Sequence, residues 1–566
     1  MTTTPDTQLD PSLRQALDTA VEELRAGTRT WSALTVAQRA TLLRGIRSAV
    51  AAVAEEWADV AATSKGLEPG HPLRGEEWLA GPYAALVALD AYAATLDAIA
   101  AGQSPIERVR TGVAPGVRTV VHTSPTSPID ALLLSGFTTE VWLQPGVTAE
   151  QARRKAGLGQ LTPRESGGVG LVLGAGNVTS IPFLDVLYEL LAFNRVALLK
   201  VNPTQDALVP MYERALAPLI APGLLRIVRG GGDVGAYLTR HPGVDHVHIT
   251  GSEATFRAIV WGGQEPGPDA EPQLRVPITA ELGGVSPVIV VPGEWSDADL
   301  RFHAEHVATM RLQNSGHNCI AAQVVLLSAD WPQREAFLRE LTAAYGRAPA
   351  RSVWYPNSEA RLEAVREAYP DAVWCGDGTR ALVAGGGDVE KVEYFAPVLG
   401  VVELPGTGQA FVDAAVAHAN DRLTGTLGAN VLVDPVTQRS LGARFEQAIA
   451  RLRYGTVAVN AWTAFGFLTP TATWGAFPGG TVADAPSGIG VVHNAFLLAD
   501  VERTVVRGPF RPFPRSLGRG RFSALPKPPW FVTARTGTRV SSGLTRFRID
   551  GSIPRLLATL VQAFRA

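Results

Sequence analysis

The stretch Gly168-Val169-Gly170-Leu171-Val172-Leu173-Gly174-Ala175-Gly176-Asn177 decides the fold of this chain. Its first six residues form a short apolar run bounded by glycine, which is the pattern of a strand buried on both faces. A turn follows, then an apolar helix over Phe183–Phe193 and a second apolar run, Val196–Lys200. This order predicts a βαβ unit with two parallel strands.

The alternation of strand and helix continues to about residue 250. The predicted elements are the helices Met211–Leu219 and Val234–Arg240 and the strands Leu225–Val228 and His246–Thr250. Ligands of such parallel sheets bind beyond the carboxyl ends of the strands. Asn177, Lys200 and Gly251-Ser252 all lie at those ends, so they are candidate ligand-binding residues.

Further elements surround this region. Residues 11–100 have the alanine and leucine spacing of helices. A second α/β stretch runs from Thr279 to about Val492, with predicted strands at Pro287–Val291, Gln323–Leu327, Leu399–Val402 and Val457–Asn460. A chain of 566 residues is too long for one core, and we predict three or four structural units.

The composition argues against several classes of function. The net charge is −2, so we expect no nucleic-acid partner, and we expect no metal site. No uninterrupted apolar run reaches the roughly 18 residues needed to span a bilayer, so no transmembrane segment is expected. The N-terminus Met1–Asp6 lacks the pattern of a signal peptide. Only two cysteines occur, which favours a reducing, cytoplasmic location.

The charge is unevenly distributed along the chain. Residues 503–566 carry 13 arginines and lysines against one acid, Asp550, whereas residues 1–100 carry 13 acids against 8 bases. The basic tail is either an oligomerisation arm against acidic N-terminal helices of its own or a neighbouring subunit, or a surface for anionic membranes or nucleic acid. Its Pro, Phe and Trp content favours the arm.

Cys319 is the candidate nucleophile, since it ends the polar, glycine-containing stretch Asn314-Ser315-Gly316-His317-Asn318-Cys319. Glu281 lies 38 residues upstream beside two glycines. A thiol needs a base or a lowered pKa to act as a nucleophile at neutral pH, and a carboxylate is able to provide that base. The alternative is that Cys319 is a small buried apolar residue.

Five motifs in one order resemble those of the NAD(P)-dependent aldehyde dehydrogenase superfamily. They are the Cys319 stretch, Glu281-Leu282-Gly283-Gly284-Val285-Ser286-Pro287, Asn177 with Lys200 23 residues later, Thr250-Gly251-Ser252, and Glu393-Tyr394-Phe395-Ala396-Pro397-Val398. The resemblance covers roughly residues 130–500. It implies a fold with two doubly wound Rossmann-like α/β domains, one for the cofactor and one for catalysis, plus a small β oligomerisation arm.

The resemblance also implies domain boundaries. The N-terminal helices and NAD(P)-binding domain would comprise residues 1–128 and 146–280, and the catalytic domain residues 281–492. The arm and basic C-terminal extension would comprise residues 129–145 and 493–566. The arm near 130–145 would pair with a strand after Val491 in a homodimer or homotetramer.

The implied reaction is the oxidation of an aldehyde to a carboxylate. Cys319 would add to the carbonyl to form a thiohemiacetal, and a thioester would remain after hydride transfer. The Asn177 amide and the Cys319 backbone N–H would hold the oxyanion, and Glu281 would activate water to hydrolyse the thioester. A CoA-acylating or acyl-reducing enzyme is the main alternative, and an inactive scaffold is an alternative of another class.

The implied cofactor is NAD or NADP. Lys200 would reach the adenosine ribose, and Gly251 and Ser252 would place a helix N-terminus at the pyrophosphate. Glu393 would bind the nicotinamide ribose, and Phe395 would lie beside the nicotinamide.

Ala396 stands where the family has glycine, and four further positions depart from its pattern. Phe256 replaces a glycine near the pyrophosphate, and Val186 replaces a lysine that assists proton removal. Pro203 replaces a glutamate that repels the 2′-phosphate of NADP, so no acid at this position excludes NADP as the cofactor. His317 replaces a glutamine; we favour a role as a loop residue over one in tuning the Cys319 thiolate.

Overall fold

The structure is a computed structural model that describes residues 9–263, 270–517 and 520–565. The residues Met1–Asp6, on which the signal-peptide prediction rests, lie outside the described residues.

The helices alternate with strands through most of the chain. They are α1 (Pro11–Ala33), α2 (Val36–Ser64), α3 (Gly75–Trp78), α4 (Ala84–Ala100), α5 (Pro128–Leu133), α6 (Ala149–Lys155), α7 (Ile181–Phe193), α8 (Val209–Ala215), α9 (Ala217–Ile220), α10 (Gly232–Thr239), α11 (Glu253–Trp261), α12 (Asp297–Leu312), α13 (Arg334–Arg347), α14 (Ser358–Ala368), α15 (Gly408–Asp421), α16 (Pro435–Leu441), α17 (Ala443–Arg451), α18 (Ala464–Phe467), α19 (Gly537–Asp550) and α20 (Ile553–Ala563).

The strands are β1 (Thr111–Ala114), β2 (Arg118–Ser124), β3 (Thr138–Leu143), β4 (Val169–Leu173), β5 (Val196–Lys200), β6 (Leu225–Val228), β7 (His246–Gly251), β8 (Ile278–Leu282), β9 (Ser286–Val290), β10 (Ala322–Ser328), β11 (Val373–Cys375), β12 (Arg380–Ala384), β13 (Val398–Leu404), β14 (Gly428–Leu432), β15 (Thr456–Val459), β16 (Trp474–Gly475), β17 (Gly488–Ile489), β18 (Val491–Val492) and β19 (Val501–Arg507).

The predicted βαβ region forms a six-stranded sheet in the order β17-β8-β7-β4-β5-β6. The five strands β8, β7, β4, β5 and β6 are parallel, and β17 is antiparallel to β8. Strands β4 and β5 are almost entirely buried, because helices cover both faces of the sheet. The predicted parallel α/β architecture is confirmed here.

The second sheet has the order β1-β2-β3-β19-β15-β14-β9-β10-β13-β12-β11 in the described part of the chain. Its centre, from β19 to β12, is parallel, and antiparallel strands extend both edges. Strand β3 pairs with β19 of the same chain, with Val141 opposite Thr504. The segment predicted as an arm is thus joined to the larger sheet.

The basic C-terminal extension lies against acidic groups of its own chain. Its ion pairs are Arg511 and Arg515 with Asp299, Lys527 with Glu305, Arg546 with Glu55 and Arg548 with Asp130. Two of these acids belong to α12, so the extension is fixed along that helix. The sequence predicted the final helix, now α20, but α19 before it was missed.

One stretch, Pro72–Ala100, is long and apolar enough to cross a membrane by length and composition alone. Half of it is buried inside the fold, where Leu86 and Leu89 lie in the main core. A core helix meets the same criteria, so this is weak evidence for a membrane span.

Candidate active site

A cavity of about 520 Å³ opens at the carboxyl ends of β4, β5 and β7. All eight residues selected from the sequence line it: Asn177, Lys200, Gly251, Ser252, Glu281, Cys319, Glu393 and Phe395. They come from segments up to 218 residues apart in the chain, since Asn177 is the first and Phe395 the last. The sheet topology therefore brings the predicted site residues to one place.

Glu281 lies near the end of β8, and its side chain is only 4% exposed. Burial raises the pKa of this carboxyl to about 7, although hydrogen bonds from Cys319 and Trp474 oppose the shift. The Trp474 indole Nε1 donates to Oε1 over 3.1 Å. Glu281 is thus held beside the thiol, with a pKa that suits proton transfer near neutral pH.

Burial also raises the pKa of the Cys319 thiol well above its usual range, and the Glu281 carboxylate adds to that shift. The thiol is therefore protonated in this structure and makes a hydrogen bond with Glu281. Removing the thiol proton requires Glu281 as acceptor, or a positive charge bound near the sulfur.

The loop before Cys319 has an unusual backbone. Asn314, Ser315 and Gly316 have φ of 53°, 55° and 74°, a run of left-handed conformations that costs energy at the two non-glycine positions. The Asn314 side-chain amide offsets part of this cost, because its Nδ2 donates to the carbonyls of Asn177 and His317, each over 3.1 Å. The loop is thereby tied to the turn after β4.

Asn177 follows β4 and lies beside the loop that precedes Cys319. Its side-chain Nδ2 donates to the His317 carbonyl over 2.9 Å, and the residue is 7% exposed. An amide nitrogen carries two hydrogens, so one remains to face the cavity that Asn177 lines with Cys319.

His317 is buried, and its ring links three segments. Nδ1 lies 2.7 Å from the Phe395 carbonyl, which only accepts, so Nδ1 carries the proton. Nε2 accepts from the backbone N–H groups of Trp354 and Tyr355 at 3.4 and 3.5 Å. Burial lowers the pKa of His317 to about 3, so the ring is neutral. The geometry favours the role as a loop residue.

Sequence reasoning missed a buried ion-pair cluster that contacts the loop before Cys319. Lys65 Nζ donates to Glu77 and to the Asn177 carbonyl, each over 2.8 Å, and to Asn314 Oδ1 over 3.2 Å. Glu76 pairs with Arg351 and accepts from the Asn314 backbone N–H. The available signal for this cluster was Lys65 itself, one of only five lysines in the chain, at the end of an alanine-rich helix.

A second missed cluster lies near Glu281. Asp185, beside Val186 on α7, lies 3.1 Å from His493 Nε2 and 3.5 Å from His248 Nε2. Its Oδ2 also accepts from Thr250 Oγ1 over 3.0 Å. Val186 itself is buried in the apolar core. The charged neighbours of Glu281 are Asp185 of α7 and His248 of β7.

Lys200 ends β5 at the cavity wall and is 9% exposed. Burial lowers its pKa, and it forms no ion pair among the residues that the structure describes. An enclosed ammonium that has no such ion pair, and on which Asp206 and Asp233 act only at longer range, fits a ligand with hydroxyl or phosphate groups. Pro203 begins a short 3₁₀ helix, Pro203–Leu208, and its neighbours Asn202 and Thr204 line the cavity instead of an acid.

Gly251 and Ser252 lead into α11 as predicted. The Ser252 side chain caps the helix by accepting from the Thr255 N–H over 3.2 Å. Phe256 is buried in the core, and the cavity is lined by Thr255, Ala258 and Ile259 instead. The bulk of Phe256 therefore does not enter the space in front of the helix N-terminus.

Glu393 faces the two glycines that follow Glu281. A Cβ on Gly283 would overlap the Glu393 carboxylate, so this close approach requires glycine. Glu393 Oε1 is buried and has no hydrogen-bond partner among the described residues. Burial raises the pKa of Glu393 to about 8. Such an acceptor fits a ligand that donates hydroxyl groups, as a ribose does. Phe395 is next to it, with φ of 46°.

Comparison with known proteins gives consistent matches. Residues 150–356 match the model of the aldehyde dehydrogenase family. Geranial dehydrogenase of Castellaniella defragrans is 27% identical over 293 residues, which cover 46% of this chain and 55% of that protein. The 3,6-anhydro-alpha-L-galactose dehydrogenase of Streptomyces coelicolor is 37% identical over 147 residues, or 25% of this chain and 26% of that protein. The chain thus spans about half, or less, of the length of these relatives.

Solved structures share the fold over most of the chain. The aldehyde dehydrogenase of Pseudomonas syringae, solved with NAD+ and octanal, is 18% identical with a TM-score of 0.57, covering 87% of this chain and 88% of that one. An NADP-dependent glyceraldehyde-3-phosphate dehydrogenase of Bacillus halodurans, complexed with NADP, is 17% identical with a TM-score of 0.57, covering 88% and 91%.

The fold and the site define a class: an α/β protein in which a loop cysteine and a buried carboxyl meet at the carboxyl edge of a doubly wound sheet. Residues 150–356 are similar to the aldehyde dehydrogenase family, and the order of the motifs agrees with that similarity. The solved aldehyde dehydrogenases share the fold of the chain.

Proposed function

We propose that this protein oxidises an aldehyde to a carboxylate with NAD or NADP, through a thioester on Cys319. The observation that carries the proposal is the contact between the Cys319 thiol and the buried Glu281 carboxyl, inside a cavity of about 520 Å³. A merely structural cysteine needs neither a carboxyl partner nor access to a cavity of that size.

Formation of the adduct begins with transfer of the thiol proton of Cys319 to Glu281. The sulfur then forms a bond to the aldehyde carbon, and the carbonyl π electrons move to oxygen. The second N–H of the Asn177 amide and the Cys319 backbone N–H stabilise that oxyanion. The apolar surroundings strengthen these donors because water is excluded.

Lys200, Gly251, Ser252, Glu393 and Phe395 would hold the cofactor in the large cavity. When bound, NAD or NADP supplies the acceptor for the hydride of the adduct. Collapse of the oxyanion then leaves an acyl thioester on Cys319.

Hydrolysis of the thioester needs one water and a base. Glu281, once it has released the thiol proton to solvent, takes a proton from water as the oxygen attacks the acyl carbon. The carbon–sulfur bond breaks, and the Cys319 thiolate and the carboxylic acid are released. For each aldehyde, one cofactor is reduced and one water is consumed.

The test is to mix the protein with a panel of aldehydes and either NAD or NADP, and to follow the absorbance of the reduced cofactor. We expect turnover by the wild type and none by Cys319→Ser, because an alkoxide nucleophile would need a far stronger base. Cys375→Ser is the matched control, since Cys375 lies on β11 and does not line the cavity.

A parallel arm with CoA separates the alternatives. Glu281 favours water as the acyl acceptor, so added CoA should not change the rate, and carboxylate should accumulate. An acyl-CoA product would establish the CoA-acylating alternative. Consumption of acyl-CoA in the presence of reduced cofactor would establish the acyl-reducing alternative. Absence of turnover under every condition would support the inactive scaffold.

We also propose a homodimer or homotetramer in the cytoplasm. The edge strand β1 supports association, because it ends the larger sheet and its Val113 is 81% exposed. Light scattering of the wild type and of Val113→Lys tests this: a monomeric wild type would contradict the assembly.

A further inference from the structure

A second cavity meets the first at Cys319. It has a volume of about 100 Å³, and Asn177, Ile181 and Cys319 line both cavities. Its remaining wall is largely apolar, with the aromatic residues Phe465, Phe467 and Trp474 among the lining residues. A molecule bound there would lie next to Cys319 without occupying the large cavity.

The C-terminal extension forms part of this wall. Pro529, Trp530, Phe531 and Val532 line the cavity, although they are more than 200 residues from Cys319 in sequence. We call Pro529–Val532 the C-terminal wall.

Several contacts fix the C-terminal wall in place. The Val532 N–H donates to Thr309 Oγ1 of α12 over 3.2 Å. The Phe531 ring stacks on Phe302 and His306, with centroids 5.3 and 5.0 Å apart. The Trp530 ring meets Phe137 edge-on, at 5.7 Å. The wall is therefore a packed part of the fold, and its side chains define the shape of the cavity.

The lining offers no free countercharge to a charged substrate. Glu76 is the one charged residue of the lining in the described part of the chain. Arg351 and the Asn314 N–H engage its Oε2, and its Oε1 is buried without a hydrogen-bond partner among the described residues. No lysine, arginine or histidine lines this cavity within residues 9–263, 270–517 and 520–565. A carboxylate would therefore lose its hydration without compensation, and an ammonium group would meet only the Glu76 charge, which Arg351 already balances.

The volume limits the size of the ligand. An apolar cavity of about 150 Å³ binds benzene, so about 100 Å³ suits a chain of roughly four to six carbons. Trp530 lines the cavity and has the largest side chain of the C-terminal wall, so its truncation would free more volume than that of any other residue of the wall.

We propose that the C-terminal wall makes this protein selective for short, uncharged, apolar aldehydes, and that Trp530 determines the size limit. This inference rests on the proposed function, and it assigns a specificity role to the C-terminal extension.

The test compares kcat/KM for pentanal, decanal, succinic semialdehyde and a trimethylammonium butyraldehyde. For the wild type we expect pentanal to exceed either charged aldehyde by at least about 100-fold. In Trp530→Leu we expect the ratio of decanal to pentanal to rise at least about tenfold, because the wall recedes. A charged aldehyde as the best substrate, or an unchanged ratio, would overturn the inference.

Phe547→Ala is the matched control. Phe547 is buried in α19 of the same extension, against Leu133 and Leu556, but it does not line the cavity. This variant should lose stability like Trp530→Leu while its substrate ratio stays at the wild-type value. An equal change of the decanal-to-pentanal ratio in both variants would show that the whole extension had loosened. The change would then not report the size of the Trp530 side chain.

A binding measurement separates failure of this inference from failure of the proposed function. Pentanamide and succinamate are each tested for protection of Cys319 from iodoacetamide, with Cys375 as the internal reference in peptide mass spectra. We expect protection of Cys319 by pentanamide, at least tenfold better than by succinamate, even if no aldehyde is turned over. Equal protection would overturn the inference.

Discussion

Burial of the Glu281 carboxyl determines the pH range in which this proposed base is ionised. Its pKa is raised to about 7, so the carboxylate form is present above that pH and is lost as the pH falls through it. The His317 ring does not change its charge in this range, because its pKa of about 3 keeps it neutral.

For Glu281, we expect the rate of thioester hydrolysis to fall about tenfold per pH unit below pH 7 and to be flat above it. Glu281→Gln should slow hydrolysis about 10²–10⁴-fold and abolish this dependence. Single-turnover decay of an acylated enzyme from pH 5 to 9 measures both. A wild-type profile in Glu281→Gln would contradict the role of base.

For His317, we expect that His317→Gln leaves the pH–rate profile unchanged, since glutamine is also able to donate to the Phe395 carbonyl and to accept from a backbone N–H. His317→Ala should instead cost about 1–3 kcal/mol of unfolding free energy, because it leaves buried groups unpaired. Urea denaturation and the pH profile are the measurements. A shifted profile in His317→Gln would restore a role in tuning the thiol.

At the scale of elements, the end of β8 serves two groups of the site. The strand presents Glu281, and Gly283, two residues on, leaves space for the Glu393 carboxylate from a different part of the chain. The proposed catalytic and cofactor-binding positions are thus coupled through a few residues of backbone.

We expect Gly283→Ala to displace Glu393 and to raise KM for the cofactor at least about tenfold, while the rate of Cys319 alkylation changes little. The reason is that the new methyl group occupies the position of the carboxylate. Cofactor titration by fluorescence and initial rates measure this. Gly346→Ala on α13 is the control, because its Cβ meets open space. An unchanged cofactor KM would show that Glu393 does not bind the cofactor.

At the scale of the whole molecule, the basic extension and the acidic groups it contacts form one folded unit. Asp299 of α12 is fully buried and receives both Arg511 and Arg515. The Arg511 side chain approaches the carboxylate with Nε at 2.9 Å and Nη2 at 2.7 Å. This pair holds the segment that leads to the C-terminal wall.

We expect Arg511→Ala to lower the free energy of unfolding by about 3 kcal/mol, the lower end for breaking a buried pair, since Arg515 still contacts Asp299. Arg546→Ala is the matched control, because its pair with Glu55 is exposed and should be worth no more than about 1 kcal/mol. Urea denaturation measures both variants. Equal, small losses would show that the extension is not held at Asp299.

Sequence patterns alone predicted most local elements and proposed the residues of the site. The strands β5 and β6 were predicted with their observed bounds, and β4, β7 and β13 to within a few residues, because short apolar runs between turn residues have few alternatives. The helix predicted over Met211–Leu219 is divided into α8 and α9, since the Leu216 backbone leaves the helical conformation, with φ of −104° and ψ of 9°. Spacing and motif order also selected the eight residues that line the large cavity.

Only the tertiary structure decided which distant groups meet. The contacts of Lys65 with Asn177 and of Asp185 with His493 join segments more than 100 residues apart, and no local pattern encodes them. The C-terminal wall is the clearest case. Its sequence is a proline- and aromatic-rich stretch with no periodicity, and its place beside Cys319 follows from its packing on α12. Local propensity acts over a few residues, whereas burial and charge pairing act between whichever surfaces the fold brings into contact.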